Sequence, residues 1–119
     1  MKGMKKFYIT TSIPYVNGAP HVGHALEFCQ ADALRRYHRD VLKEKTLLLS
    51  GADENALKNV QAAEKLGITT LELCNINSQK FRELAESLNI KFDIFQRGSD
   101  QTLHWPGVVD IWNRCLRVG

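Results

Sequence analysis

The chain has 119 residues, of which 44% are hydrophobic and 24% are charged. These proportions are ordinary for one globular domain and exclude an intrinsically disordered chain. The formal net charge of +3 suits an anionic partner but is too small to require nucleic acid. No apolar run is long enough to cross a membrane, and too few apolar residues follow the basic N-terminus for a signal peptide. We therefore expect a cytoplasmic protein without a membrane partner.

The three cysteines, Cys29, Cys74 and Cys115, are far apart and stand among apolar residues with helical spacing. No pair has the spacing of metal ligands, so the sequence predicts no zinc site. We interpret all three as reduced core cysteines, which is typical of a reducing compartment.

The first third of the chain predicts a strand, a loop and a long helix. β-Branched and aromatic residues over 7–11 favour a strand, and Pro14 ends it because proline cannot donate to a ladder. Asn17-Gly18 and Pro20 keep the following segment in a loop. Apolar residues then recur at helical spacing over about 22–43. The stripe expected to be buried consists of Val22, Leu26, Cys29, Ala33, Tyr37 and Val41.

The middle of the chain predicts a second strand and a ligand-binding loop. The apolar run 46–49 is typical of a strand buried on both faces in a parallel sheet. The loop 50–55 follows its C-terminal end, where open α/β sheets place their ligands.

The remaining chain predicts two helices, a strand and a last helix. Gly67 is expected to close a helix over 57–66, and Thr69 is expected to open the next one. Residues 92–95 alternate as in a strand, and Asp100 is a candidate N-cap for the last helix. The expected core face of that helix comprises Val108, Val109, Ile111, Trp112, Cys115 and Leu116.

This order of elements indicates an α/β fold of the Rossmann-like kind, with about three parallel strands and flanking helices. So small a sheet would leave apolar edges unpaired. We therefore expect the chain to be half of a larger nucleotide-binding fold.

Two histidines in the loop before the long helix are the main functional signal. His21 and His24 are three residues apart at a predicted helix start, so their side chains should point the same way. Gly23 between them lets a ligand approach the backbone. Imidazole donors at a helix N-terminus suit phosphate, which favours nucleotidyl transfer. The alternative is that both histidines are ordinary surface residues without a ligand. A zinc site is a weaker alternative because no suitable third ligand is near.

The same region resembles a known family. Residues 7–24 are similar to the signature region of class I aminoacyl-tRNA synthetases, and His21-Val22-Gly23-His24 resembles their His-Ile-Gly-His motif. The methionyl enzymes are the nearest type, because residues 30–39, 51–56 and 61–69 resemble their first helix, acidic loop and following segment.

The resemblance implies an activity and roles for individual residues. It implies that ATP, with Mg²⁺, activates methionine and that the product is passed to tRNA. His21 and His24 would be catalytic by stabilising the phosphates. The ATP-binding residues would be Pro20, His21, Gly23 and His24. The amino-acid-binding residues would be Ile13, Pro14, Tyr15 and Asp53.

Some features depart from the family. Ala52, Asn55 and Ala56 stand where the family has Thr, His and Gly. The Lys-Met-Ser-Lys-Ser loop, the inserted domain and the anticodon-binding domain do not occur within these 119 residues. We therefore expect an N-terminal half-domain over 1–119, with partial or no activity alone, that pairs with the rest of a synthetase or a complementary chain.

Three alternatives stay open at this point. One is a synthetase for leucine, valine, isoleucine or cysteine. Another is a small nucleotidyltransferase of the His-x-Gly-His kind. The third is a non-catalytic module that binds a nucleotide or tRNA.

Overall fold

The computed structural model describes residues 5–119 and contains one parallel sheet of three strands. The strands are β1 (Lys6–Thr10), β2 (Lys45–Ala52) and β3 (Ile94–Arg97), in the order β1-β2-β3. Both neighbouring pairs are parallel, which confirms the α/β prediction. Residues 1–4, part of the basic segment for which no signal peptide was expected, lie outside the described range.

The described residues also form four α-helices. They are α1 (Val22–Arg36), α2 (Leu57–Leu66), α3 (Thr70–Ser87) and α4 (Trp105–Val118). Helix α1 packs on β1 and β2, and α3 packs on α1 and α2. None of the helices within residues 5–119 is long and apolar enough to cross a membrane.

The first helix ends earlier than the sequence pattern predicts. Its α-helical part stops at Arg36, and a π-helical turn continues over Tyr37–Val41. Lys43 follows with a φ of 56°, in the left-handed region that ends a helix. Strand β3 also begins two residues later than predicted, and Phe92, just before it, packs edge-to-face on Phe28.

The core lies between β2, α1 and α3. Leu48 in β2 is fully buried, as expected for a central strand. The main buried cluster comprises Val16, Phe28, Ala52, Cys74, Phe81, Ala85 and Ile90.

The sequence pattern predicts the wrong inward face for α1. Val22, Leu26 and Tyr37 are exposed, whereas the buried positions include Asp32 and Arg35. An ion network occupies that inner face and explains the difference. The stripe members Cys29, Ala33 and Val41 are exposed too.

This network ties α1 to the sheet. Arg35 donates to Asp32 at 2.8 Å and contacts Asp93 at 3.5 Å. Asp93 in turn accepts the backbone N–H of Leu48 at 2.7 Å. Because the buried charges are paired and hydrogen-bonded, they can replace an apolar contact at this position.

Two further core predictions are wrong. Of the three free cysteines only Cys74 is buried, since Cys29 and Cys115 are exposed. No residue of α4 is buried, so its predicted core face lies open in the described chain. An amphipathic pattern shows which side of a helix can be covered but does not show that a covering element is present.

The start of α4 also differs from the prediction. The helix begins at Trp105, and its N-cap is His104 rather than Asp100. The Asp100 carboxylate instead accepts the N–H groups of Thr102 and Leu103, so it caps the turn before the helix.

Candidate active site

His21 and His24 form a reciprocal cap at the start of α1. His21 is the N-cap, with an extended backbone at φ −130° and ψ 177°. The N–H of Gly23 donates to Nδ1 of His21 at 3.0 Å. The N–H of His21 donates to Nδ1 of His24 at 3.1 Å. Two backbone donors that a helix start leaves free are therefore satisfied by the two imidazoles.

This cap determines which ring nitrogens are left to bind a ligand. Each Nδ1 accepts a hydrogen bond, so each neutral ring carries its proton on Nε2. The rings of His21 and His24 lie 3.9 Å apart between centroids. The two Nε2–H groups thus form a close pair of donors, which suits oxygen atoms that carry negative charge.

The environment of His24 keeps its ring neutral. Burial lowers the pKa of His24 from 6.5, and the neighbouring His21 lowers it further, while Glu27 acts in the opposite direction. The His24 ring also packs edge-to-face with the ring of Phe81. The ring centroids lie 4.9 Å apart, and the angle between the ring planes is 83°. The lowered pKa favours the neutral form of the His24 ring at pH 7.

Gly23 is required by the cap itself. A Cβ at this position would lie 2.9 Å from Cε1 and 3.0 Å from Nδ1 of His21. Any larger residue would push the His21 ring away from the position in which it accepts the Gly23 N–H.

A cleft of about 430 Å³ opens beside the histidines. It brings together five of the predicted site residues, since Ile13, Pro14, Tyr15, His21 and His24 all contribute to its wall. The other lining residues are Ser12, Asn17, Gly18 and Ala19. Pro20 and Gly23 do not line the cleft, although Pro20 directly precedes His21 and Gly23 directly precedes His24.

Asp53 is outside this lining but is coupled to it through the backbone. Its N–H donates to the carbonyl oxygen of Pro14 at 2.9 Å, and Tyr15 and Asp53 form a parallel bridge. Its Oδ1 accepts only a long bond of 3.3 Å from the N–H of Asn55. The carboxylate is half-buried and keeps capacity to accept another donor.

The apolar wall of the cleft rests on β2. Cγ2 of Ile13 would lie 3.2 Å from a Cβ at Gly51. The same Cβ would collide with the carbonyl oxygen of Gln96 in β3. Gly51 therefore allows β3 to lie close to β2 while Ile13 covers the end of the strand. On the other side, Nζ of Lys58 lies 5.2 Å from the centroid of the Tyr15 ring.

The family model for class I tRNA synthetases of the M type matches residues 7–119. The chain belongs to this family. It is 44% identical over 117 residues to the methionine–tRNA ligase of Mycobacterium leprae and 43% identical over 115 residues to a probable mitochondrial methionine–tRNA ligase of Dictyostelium discoideum. These matches cover 98% and 97% of the chain but only 21% and 20% of those relatives. The chain thus spans about a fifth of their length.

Solved structures agree with this assignment to the synthetase family. Mycobacterium tuberculosis methionyl-tRNA synthetase bound to methionyl-adenylate superposes with a TM-score of 0.79 at 44% identity. The superposition covers 82% of this chain and 19% of that one. A likeness at this identity supports both the Rossmann-like fold and the family.

Glu54, next to Asp53, is a buried and fully bonded carboxylate that the sequence pattern did not indicate. Its buried carboxylate accepts bonds from Arg97 Nε at 2.7 Å, Ser99 N–H at 2.9 Å and Ser78 Oγ at 3.0 Å. Burial would raise the pKa of Glu54, but the bonds from Ser99, Arg97 and Ser78 outweigh it and lower the pKa. Glu54 therefore joins the end of β2, next to Asp53, to the segment that follows β3.

Glu27 was also not predicted. Its two carboxylate oxygens accept the backbone N–H and the Oγ of Ser12, at 2.7 and 2.8 Å. This pair fixes the first residue of the cleft wall to α1, one turn beyond His24.

No group of three or more histidine, cysteine, aspartate or glutamate residues within 5–119 is arranged to hold a metal ion. The two site histidines use their Nδ1 atoms in the helix cap. With Nδ1 engaged in the cap, Nε2 is the nitrogen of each ring that is left to meet a ligand.

Proposed function

We propose that the chain forms the ATP-binding and amino-acid-activating part of a methionine–tRNA ligase. The observation that carries the proposal is the His21–His24 cap, in which both Nδ1 atoms accept backbone N–H groups and both Nε2 atoms are left for a ligand beside a cleft walled by Ile13 and Tyr15. The methionine–tRNA ligases to which the chain is similar, one of them solved with methionyl-adenylate, support the same function.

In the first step, a carboxylate oxygen of methionine attacks the α-phosphorus of ATP. The new P–O bond forms as the bond to the β-phosphate oxygen breaks, and pyrophosphate leaves. Negative charge grows on the phosphate oxygens in the transition state, where His21 and His24 donate their Nε2–H groups. ATP enters as its Mg²⁺ complex, and Pro20 and Gly23 shape the backbone on which the nucleotide lies.

The other end of the cleft suits methionine. Ile13, Pro14 and Tyr15 offer aliphatic and aromatic surface, which matches a soft and apolar thioether. Asp53 lies beside this wall through its bond to Pro14, and its carboxylate is the acceptor for the substrate ammonium group.

In the second step, the activated methionine is passed to tRNA. Since the chain spans about a fifth of its relatives, we propose that it is the N-terminal half of the nucleotide-binding domain and works with the rest of a synthetase. The mildly basic net charge of +3 is compatible with a tRNA partner. The cytoplasm is the proposed location, in keeping with three free cysteines.

The test is a chimeric synthetase, in which residues 7–119 of this chain replace the matching segment of the M. tuberculosis enzyme. We expect it to catalyse ATP–pyrophosphate exchange that depends on methionine. Leucine, valine, isoleucine and cysteine serve as controls for the amino-acid preference. Exchange supported by one of these and not by methionine would refute the proposed substrate, and loss of exchange with every amino acid would refute the proposed role of the chain.

A further inference from the structure

Helix α3 carries two adjacent polar residues that are almost fully buried. Asn77 is 4% exposed and Ser78 is 2% exposed. Nδ2 of Asn77 donates to the carbonyl oxygen of Val16 at 2.8 Å. Oγ of Ser78 donates to Oε1 of Glu54 at 3.0 Å. Each of these neighbours on one helix therefore holds a segment that is distant in the sequence.

The two segments adjoin predicted site residues. Val16 directly follows Tyr15, which lines the cleft, and Glu54 directly follows Asp53. Both segments lie beyond the ends of β1 and β2. Helix α3 bonds the Val16 carbonyl oxygen through Asn77 and the Glu54 carboxylate through Ser78.

A third contact from the same helix reaches the histidines. Phe81, which is fully buried in α3, packs on the ring of His24. Helix α3 therefore contacts three parts of the candidate site. These are the segment next to Tyr15, the segment next to Asp53, and His24 of the histidine pair. A catalytic arrangement needs such support, because small displacements of its groups cost much of the rate.

We propose that Asn77 and Ser78 are positioning residues for amino-acid activation. Asn77 holds the Tyr15–Val16 segment, and Ser78 holds the Asp53–Glu54 segment through Glu54, so that α3 fixes the position of both segments, which the Asp53–Pro14 bond joins to each other. The kinetic part of this proposal rests on the function proposed above, and the structural part does not.

The Asn77 bond satisfies two groups at once. Val16 has a fully buried side chain, and its carbonyl oxygen would lack the Asn77 partner if that residue were apolar. A buried amide in a helix is costly unless it is hydrogen-bonded, and a buried carbonyl left without its donor is costly too. The hydrogen bond between Asn77 and Val16 thus fixes one position of the loop, in addition to the packing of the two residues.

Hydrogen exchange of the full 119-residue chain tests the structural part. Asn77→Asp should speed exchange over residues 12–21 by about tenfold and leave 53–56 unchanged, because it replaces the amide that donates to Val16 with an acceptor that repels this carbonyl oxygen, and it leaves the Ser78–Glu54 bond in place. Ser78→Ala should speed exchange over residues 53–56 and leave 12–21 unchanged, because it removes the bond to Glu54. Gln79→Ala is the matched control, since this exposed amide bonds only to Glu83 on the same helix.

Asn77→Ala is the second variant in case the aspartate prevents folding, and circular dichroism verifies the fold of each protein. Equal exchange in the Asn77 variants and the parent over 12–21 would overturn the proposal. Faster exchange over both 12–21 and 53–56 in every variant would also overturn the proposal, because that pattern indicates a general loss of packing.

Kinetics in the chimeric synthetase test the consequence for activation. For Asn77→Asp we expect the KM for methionine to rise about tenfold, while the KM for ATP stays within about twofold. Equal changes in both, or none, would contradict a positioning role in amino-acid binding. If the parent chimera shows no exchange with methionine, the proposed function fails, and hydrogen exchange still decides the role of Asn77.

Discussion

A Cβ atom on Gly23 would lie 2.9 Å from Cε1 of His21, closer than two carbon atoms can approach without movement. The glycine is therefore part of the geometry that holds the His21 ring. The same ring accepts the Gly23 N–H at 3.0 Å, so a displacement would break the cap as well as move the donor. Backbone and side chain depend on each other at this helix start.

Gly23→Ala should lower the rate of adenylate formation by about tenfold to a hundredfold, because the His21 Nε2–H no longer meets the phosphate correctly. Pyrophosphate exchange in the chimeric synthetase measures this effect. Gly107→Ala is the matched control, since a Cβ at Gly107 meets nothing within 4 Å. A Gly23→Ala enzyme as active as the Gly107→Ala enzyme would contradict the role of the close contact.

The two functions of His21 can be separated by substitution. His21→Ala should lose both the helix cap, worth about 1 kcal/mol of stability, and one phosphate donor, worth about tenfold to a thousandfold in rate. His21→Asn should keep most of the stability, because asparagine is a good N-cap, and still lose the rate. Chemical denaturation and pyrophosphate exchange measure the two effects. Full activity of His21→Asn would show that the residue only caps the helix.

Much of the fold could be predicted because its signals are local. The alternation of strand-like and helix-like segments predicted a parallel sheet, and the spacing of His21 and His24 predicted that their side chains meet. Gly67 closes α2 in the left-handed conformation with a φ of 68°, as its position suggested. Each of these features depends on residues close together in the chain.

The features that were missed depend on contacts between distant residues. The prediction for the inward face of α1 was wrong because Arg35 on the true inward face pairs with Asp93 across the fold. Glu54 and Asn77 are polar residues whose partners lie 43 and 61 positions away, at Arg97 and Val16. Hydrophobic periodicity carries no information about such partners.

The lowered pKa of His24 predicts how stability depends on pH. Burial and the neighbouring His21 place the pKa of His24 below 6.5 in the folded chain, whereas the unfolded chain keeps the ordinary value of 6.5. The unfolded state therefore binds more protons in this window, and stability falls as the pH drops below about 6.5. Thermal melts between pH 7.5 and 5.5 measure this change.

His24→Asn is the matched variant for this measurement, because it removes the titrating ring and keeps a polar side chain. We expect a smaller drop in Tm on acidification than in the parent. An NMR titration of the His24 ring should give a midpoint below 6.5. A midpoint above 6.5 would mean that Glu27 outweighs burial and would reverse the predicted slope.

Removing the charge of Glu54 should loosen the junction of β2 and β3. Glu54→Gln places an amide where the carboxylate accepts both the N–H of Ser99 and the Nε–H of Arg97. Because Arg97 is partly exposed and can turn to solvent, we expect a loss of about 1–3 kcal/mol rather than the full cost of a buried charge. Urea denaturation of the 119-residue chain measures it, and Glu64→Gln on the exposed side of α2 is the control.

The pH dependence of this variant gives an independent check. Because hydrogen bonds hold the pKa of Glu54 below 4.5 against the effect of burial, its contribution is present above pH 4.5 and is lost as the pH falls. The difference in stability between the parent and Glu54→Gln should therefore shrink on acidification below about pH 4.5. A difference that stays constant to pH 3 would show that the loss comes from packing of the amide and not from the missing charge.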